Sequence, residues 1–339
     1  TTDFVNYTRR ASLEGIARNY HNMDFLLFSG LKKLFVKKQK LPQYKFYYFH
    51  YLLPKPKRKL TSLFNTELFL LKWVWKGIFN RYDLIFFSDP NQYYLLHFIN
   101  IKQKIIYLIR DPNVLQHPKN NVYEQQLINK ADIILGTSKY LAFNYIPKYY
   151  GINPKKSYYW PNTADLRVWD MEKYDNKKTR RNEPVIGVAG NLNSRTDLEL
   201  LKYLADNLKD IKLLIYGKNF LDEKSLNKFN DALQSDLLKY KGSVSADKLP
   251  KIVSSWKIGI TLEKKCEYTL YTHHNKIYQY MALGIPVVTL RIHDDYDDYP
   301  GAVFVADTNE EFLSHINYLK NLPEEEMEKI KNKCLRYAR

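Results

Sequence analysis

Between residues 83 and 138, short apolar runs alternate with longer mixed segments. "DLIFFS" (83–88), "KIIYLI" (104–109) and "ADIILGTS" (131–138) have strand length and are bounded by polar or turn residues. Between the last two lies "NNVYEQQLINK" (120–130), where Val122, Leu127 and Ile128 make a partial helical stripe. This alternation predicts βαβ units and a parallel sheet. The pattern breaks after Pro161, and residues 165–183, charged and nearly free of apolar runs, read as a linker. It restarts with "PVIGVAG" (184–190), a helix at 197–208, a strand at 211–217 and a helix near 222–238. A strand at 239–244, a short helix about Leu249 to Ser254, a strand at 257–262, a helix opening near His273 and a strand at 302–307 complete the series. The expected class is α/β, with one Rossmann-like domain over 1–164, the linker 165–183 and a second over 184–339. "DFLLF" (24–28) is the first clear strand and follows an amphipathic segment, so the first sheet is expected to lack its opening strand and both chain ends read as trimmed.

A chain of 339 residues suits two such domains. With 45% hydrophobic and 26% charged residues it has the composition of a folded globule. No apolar run approaches the roughly 18–20 residues that span a bilayer, and the first thirty residues lack a signal-peptide core, so a cytoplasmic protein is expected. Cys266 and Cys334 stand without a CxxC or any zinc-ligand spacing, which argues against disulfide and zinc frameworks. The net charge of +17 is unevenly placed: residues 1–110 hold 19 Lys and Arg against 6 Asp and Glu, residues 111–339 hold 34 against 30. A basic field confined to the first third points to an anionic partner, whether a phospholipid surface, a lipid-linked pyrophosphate, an acidic polysaccharide or a nucleic acid. Lys55, Lys57, Arg58 and Lys59 concentrate that field beside an aromatic run, which fits membrane or acceptor contact. The neighbouring apolar segment 62–79 suits either an interfacial helix or a buried one.

Three stretches carry candidate chemistry. In "VIGVAGNLNSRTDLELL" a strand delivers the chain into Gly187 and Gly190, then Asn191, Asn193 and Arg195, ahead of a helix that Thr196 is placed to cap. Glycines admit a ligand close to the backbone, and the free N–H groups of a helix start attract phosphate. In "THHNKIYQYMALGIPVV" a helix opening at His273 to Lys276 presents N–H groups, an ammonium and imidazoles to an anion. Ile277, Tyr280 and Met281 face the core, and Gly284 closes the helix. Adjacent histidines project about 100° apart on a helix, a poor start for a metal site. "HDDYDDYPG" (293–301) lacks the spacing of a calcium loop and reads as a solvated loop.

Taken in order, these blocks resemble the GT-B fold glycosyltransferases, particularly the group 1 (family 4-like) set, which moves sugars from nucleotide-sugar donors. "THHNKIYQYMALGIPVV" is similar to that family's Asn-x-x-Lys-x-x-Glu-Tyr-x-Ala-x-Gly-x-Pro-Val-Val block, and "YKGSVSADKLPKIVSSWKIGITL" and "YYWPNTAD" to its neighbouring blocks. The resemblance implies two Rossmann-like domains facing a central cleft, with the donor held by the C-terminal one and the acceptor by the N-terminal one. It implies that Gly190, Asn191 and Arg195 lie near the donor pyrophosphate and that Ser243 to Leu249 border the base. The amides of His274 and Asn275, with Lys276 and the neighbouring His273, would take phosphate or sugar. Many retaining relatives carry two glutamates separated by seven residues, where this chain has Tyr271 and Gln279. Gln279 retains hydrogen bonding to a ribose hydroxyl but supplies no negative charge. An inverting reaction requires a general base, for which Asp111 is the first candidate and Asp3 the second, ahead of His21 and His117.

The expected protein is a hexosyltransferase-like enzyme with no cofactor or metal beyond its nucleotide-sugar co-substrate. Its acceptor would be a surface glycan or lipid-linked precursor of cell-envelope polysaccharide biosynthesis. It would sit at the inner face of an anionic membrane, with no nucleic-acid partner. A nucleotide-sugar epimerase of the same fold and a degenerate glycan-binding protein are the alternatives.

Overall fold

The computed structural model describes residues 25–30, 46–51, 76–116, 121–174 and 184–338. The chain forms two compact units, the first from Thr1–Leu135 and Tyr149–Tyr158, the second from Gly136–Lys148 and Tyr159–Arg339. The second unit therefore draws on chain from both sides of residue 164. Part of the stretch read as a linker belongs to its core, since Trp169 is buried there beside Ala164, the last residue before the expected linker.

In the first unit, strands β1 (Phe25–Gly30) and β2 (Phe46–Tyr51) pair in parallel. A separate four-stranded sheet runs in the order β3 (Leu84–Phe87), β4 (Lys104–Ile109), β5 (Ile133–Gly136), β6 (Ser157–Tyr159), with β3 and β4 parallel. Helix α1 (Asn121–Lys130) buries Leu127 and Ile128. Val122, expected on the same stripe, is instead 63% exposed. The position that turns inward is Glu124, whose carboxylate accepts the hydroxyl hydrogens of Tyr107 at 2.7 Å and Tyr150, and the Asn113 amide at 2.8 Å. Burial raises the Glu124 carboxyl above its ordinary value although these three donors pull the other way.

The second unit holds a six-stranded sheet: β7 (Val185–Ala189), β8 (Lys212–Tyr216), β9 (Leu238–Gly242), β10 (Ile258–Ile260), β11 (Val287–Leu290) and β12 (Val303–Ala306). Its spatial order is β12-β11-β10-β7-β8-β9, and the pairings are all parallel. Numbered from β7 this is the doubly wound order 3-2-1-4-5-6, which reverses direction between β7 and β10. The central strands β7 and β10 are buried on both faces, which is why they read as continuous apolar runs and not as alternating ones.

Helix α2 (Leu198–Asn207) covers the sheet with Leu200, Leu201 and Leu204. Its cap is Asp197, whose carboxylate accepts the Leu200 N–H at 2.8 Å, and not Thr196, whose hydroxyl accepts the Asn193 N–H at 2.9 Å. Helix α3 (Glu223–Ala232), capped by Asp222, ends earlier than its apolar pattern suggested. A short helix α4 (Leu249–Val253) precedes β10, and a one-turn α5 (Glu267–Leu270) follows it. Helix α6 (Asn275–Ala282) buries Ile277, Tyr280 and Met281 as the sequence predicts, and ends ahead of Gly284, which sits at φ 72°. Helices α7 (Asn309–Asn321) and α8 (Glu324–Ala338) complete the unit.

The aspartate-rich stretch 293–301 is not a solvated loop. It forms a 3₁₀ turn over Asp294–Asp298 in which Asp295 and Tyr296 are buried, along with the preceding His293, while Asp297 and Asp298 stay outside. The apolar Ile292 and the two tyrosines at 296 and 299 pull this segment inward against the charge of its aspartates.

Candidate functional site

At the switch point the loops after β7 and β8 meet. Gly190 N donates to the Tyr216 carbonyl at 2.9 Å, and Lys218 N to the Asn191 side chain at 3.3 Å. Gly217 sits at φ 150°, and a Cβ there would lie 1.9 Å from the Gly190 carbonyl oxygen, so only glycine permits this approach. Beyond Asn191 the chain turns through Asn193 to Arg195, whose guanidinium lies over the Tyr268 ring at 4.5 Å. Tyr280 of α6 ties the same region from below: its hydroxyl accepts the Ala189 N–H at 2.8 Å, one residue before Gly190.

The chain leaving β10 supplies a residue that motif reading passed over. Glu263 forms an antiparallel bridge with Thr196, flanked by bonds from Asp197 N to the Leu262 carbonyl at 3.0 Å and from Lys264 N to the Arg195 carbonyl at 3.0 Å. Its carboxylate accepts from Lys276 Nζ at 2.8 Å, and His274 Nε2 lies 2.7 Å from its other oxygen. The three side chains are 16%, 18% and 11% exposed, so the trio is largely sheltered yet reaches the surface. Burial alone would raise the Glu263 carboxyl, but the charges of His274 and Lys276 override it and hold the group well below the ordinary carboxylate range. Lys276 Nζ also lies against the glycine loop, 3.0 Å from where a Cβ on Gly190 would stand. The sequence signal for Glu263 was its place directly after Leu262, the last apolar position of "KIGITL", at the same strand ends as Gly190.

The segment leading into α6 is held by its carbonyls. Tyr271 O accepts from the Ser138 hydroxyl at 2.9 Å, Thr272 O from His293 Nε2 at 2.8 Å and His273 O from the Asn162 amide. Three successive peptide oxygens are thus taken by side chains from three distant stretches of sequence. Because a carbonyl only accepts, the Thr272 contact places a hydrogen on His293 Nε2. Helix α6 then opens at Asn275 with His274 in the extended cap position, two residues later than the expected His273. The His273 ring is fully buried, 3.9 Å from Asp295 Oδ2, while His293 Nδ1 lies 3.6 Å from Asp295 Oδ1. Asp295 also accepts the Lys139 N–H at 2.9 Å. His273, expected to face the donor, is therefore enclosed with the aromatic rings of Tyr278, Tyr296 and His293.

The structure thus brings Gly190, Asn191, Arg195, His274, Asn275 and Lys276 to the C-terminal ends of β7 and β10 or to the start of α6. Gln279 is half-buried one turn further along that helix. Ser243 is exposed just past β9, whereas Leu249, the first residue of α4, packs partly into the core. Tyr271, at the position matched to a family glutamate, is buried against the Tyr145 ring at 5.0 Å. Asp111 follows β4 in the first unit and is half-buried. Asp3, His21, Lys55, Lys57, Arg58, Lys59 and His117, with most of segment 62–79, lie outside the described residues. Among the described residues, no three His, Cys, Asp or Glu side chains gather as a metal-binding group, and no helix is long and apolar enough to cross a membrane.

Residues 195–339 match the family described as glycosyl transferase-like. Anabaena HepE, solved in complex with UDP, is similar at a TM-score of 0.65 and 14% identity, over 94% of this chain and 94% of that one. The fold is GT-B. A glycosyltransferase from Rickettsia africae ESF-5 matches this GT-B chain at a TM-score of 0.60 and 12% identity, covering 94% of this chain and 97% of the other. The E. coli trehalose-6-phosphate structure bound with UDP-2-fluoro glucose matches at a TM-score of 0.67 and 10% identity, over 98% and 92%. No curated protein matches the sequence. The matched family region begins at Arg195 and takes in Glu263, His274 and Lys276, but not the glycine loop before it.

Proposed function

We propose that the protein is a glycosyltransferase that moves a sugar from a nucleotide-sugar donor to a surface-glycan or lipid-linked acceptor, with no metal cofactor. The observation that carries this reading is the convergence of Gly190, Arg195, His274 and Lys276 at the strand ends where the doubly wound sheet reverses. Glycine backbone, a helix start, two cations and an imidazole at these strand ends form a receptor for a diphosphate. The similarity to structures holding UDP, UDP and glucose, or UDP-2-fluoro glucose supports a nucleotide-sugar ligand.

In the transfer, the acceptor hydroxyl loses its proton to a base and its oxygen bonds the anomeric carbon as the bond from that carbon to the diphosphate oxygen breaks. The departing oxygen gains negative charge, which Lys276, Arg195 and the α6 amides at His274 and Asn275 stabilise. Asp111 is assigned as the base, with Asp3 as the second candidate. Gln279 takes a ribose hydroxyl, and the loop from Ser243 to Leu249 borders the base of the nucleotide. The basic excess of residues 1–110, including Lys55, Lys57, Arg58 and Lys59, supports a working position at the cytoplasmic face of an anionic membrane.

Thermal shift against a panel of nucleoside diphosphates and nucleotide sugars tests the donor site: at least one pair is expected to raise the melting temperature, and no response from any would end this reading. Asp111→Asn is expected to lower turnover at least a hundredfold while leaving donor affinity within twofold. Unchanged turnover would pass the role to Asp3. Binding to anionic liposomes that persisted undiminished in high salt would contradict electrostatic membrane association.

A further inference from the structure

A carboxylate in the middle of a diphosphate site needs a reason. Glu263 neutralises part of the positive charge at the place where, on the reading above, an anion must bind. Its backbone is fixed to the Arg195–Asp197 segment and its side chain to α6, so it does not swing away as a surface group would. Holding Lys276 across the glycine loop needs an acceptor, but a backbone carbonyl or an amide would serve without adding negative charge.

The donor and the leaving product differ in charge. The diphosphate of a nucleotide sugar is esterified at both ends and carries two negative charges. Once the sugar has gone, the terminal phosphate ionises a second time with a pKa near 6, so the nucleoside diphosphate carries about three at neutral pH. On the reading above Arg195 and Lys276 match two charges, while the fixed carboxylate beside Lys276 repels a third.

We propose that Glu263 is a specificity-determining residue that discriminates the sugar-bearing donor from the nucleoside diphosphate product, favouring product release. The proposal rests on the donor-site reading. Around Glu263 stand His274 and Lys276 from α6, in contact with the carboxylate. The Tyr280 and Tyr296 hydroxyls also feel its charge, and burial foremost and that charge after it keep both neutral.

Calorimetric titration of wild type and Glu263→Gln, without acceptor, would use four pairs: UDP with UDP-glucose, GDP with GDP-mannose, ADP with ADP-glucose and dTDP with dTDP-glucose. For the pair that binds, Glu263→Gln is expected to tighten the nucleoside diphosphate about tenfold more than the nucleotide sugar at pH 8. Equal shifts for both, or a larger gain for the nucleotide sugar, would overturn the proposal and leave the donor site standing. Failure of the wild type to bind any pair would remove the donor site and the proposal with it.

A second measurement does not depend on the variant folding. Between pH 8 and pH 5.5 the free diphosphate loses its third charge and the nucleotide sugar does not change. Both ligands meet the same protein at each pH, so the ratio of their affinities removes every change in the protein that acts on the two alike. In the wild type the ratio is expected to change less than about twofold as the pH falls, because the Glu263 carboxylate offsets the cation it pairs with. A site whose cations act without that offset makes the diphosphate lose about tenfold on the nucleotide sugar, and that result would overturn the proposal.

Discussion

The two adjacent histidines of this chain enter two different polar clusters, and the contrast shows what each cluster is built to do. His274 meets Glu263 at 2.7 Å beside Lys276, in a trio that reaches the surface at a switch point of the sheet. His273 faces Asp295 at 3.9 Å with a second imidazole, His293, and the histidine and aspartate side chains are 1% exposed or less. Each cluster sets a carboxylate among basic groups. The first is short, strongly paired and open to a ligand; the second is looser, closed, and spends its hydrogen bonds on backbone, at Thr272 O and Lys139 N. On the proposed reading the first cluster exchanges partners with an anion, while the second holds the segment that presents it.

The largest effect should fall on the closed cluster. Asp295→Ala removes the acceptor of the Lys139 amide and the carboxylate facing two imidazoles, and is expected to cost about 3–5 kcal/mol of stability. Urea unfolding would measure it, and a loss below about 1 kcal/mol would mean that this cluster is not structural.

A smaller effect with a defined sign belongs to the open cluster. The Glu263 carboxyl is held well below its ordinary value of 4.5 in the folded chain, so as the pH falls below 4.5 the unfolded chain takes up the proton first. The pairing therefore stabilises fully above that pH and loses its contribution progressively below it. In Glu263→Gln that part of the acid slope should vanish, which urea midpoints between pH 7 and pH 3.5 would reveal; parallel wild-type and variant slopes would contradict the pairing.

The smallest effect concerns the rim that joins the closed cluster to solvent. Lys139 Nζ meets Asp298 at 2.7 Å with the side chains 37% and 41% exposed. The Asp298 bond raises the lysine pKa, but exposure limits the pair, and Lys139→Ala should cost under about 1 kcal/mol because the backbone bond to Asp295 survives. A cost above 2 kcal/mol would show that rim and interior act as one network.

Strand positions were legible because parallel strands covered on both faces are apolar throughout: "KIIYLI" matches β4 residue for residue, and "PVIGVAG" and "IKLLIYG" contain β7 and β8. The core face of α6 was legible from its spacing, and the glycine loop and Lys276 from the local chemistry of a strand followed by a helix. Helix caps were less so: Thr196 and Asp197 are both competent, and the bridge to Glu263 fixes which of them faces the helix. The aspartates at 293–301 misled because charge argued for solvent, whereas the tyrosines among them, His293 at their head and the distant His273 decided otherwise.

By itself, then, the amino-acid order determined the class of fold, the alternation of strands and helices, and the end of the sheet at which a ligand would bind, since these follow from local periodicity and from glycine and helix-start chemistry. Partnerships across the chain were left to tertiary structure. Ser138, Asn162 and His293 are 133, 111 and 21 residues from the carbonyls they hold, and Glu263 is 11 and 13 residues from His274 and Lys276. Nothing local distinguishes His273 from His274. The sheet order and the buried position of Asp295 assign one to the interior and the other to the site, because a side chain's charge partner depends on what the fold packs beside it.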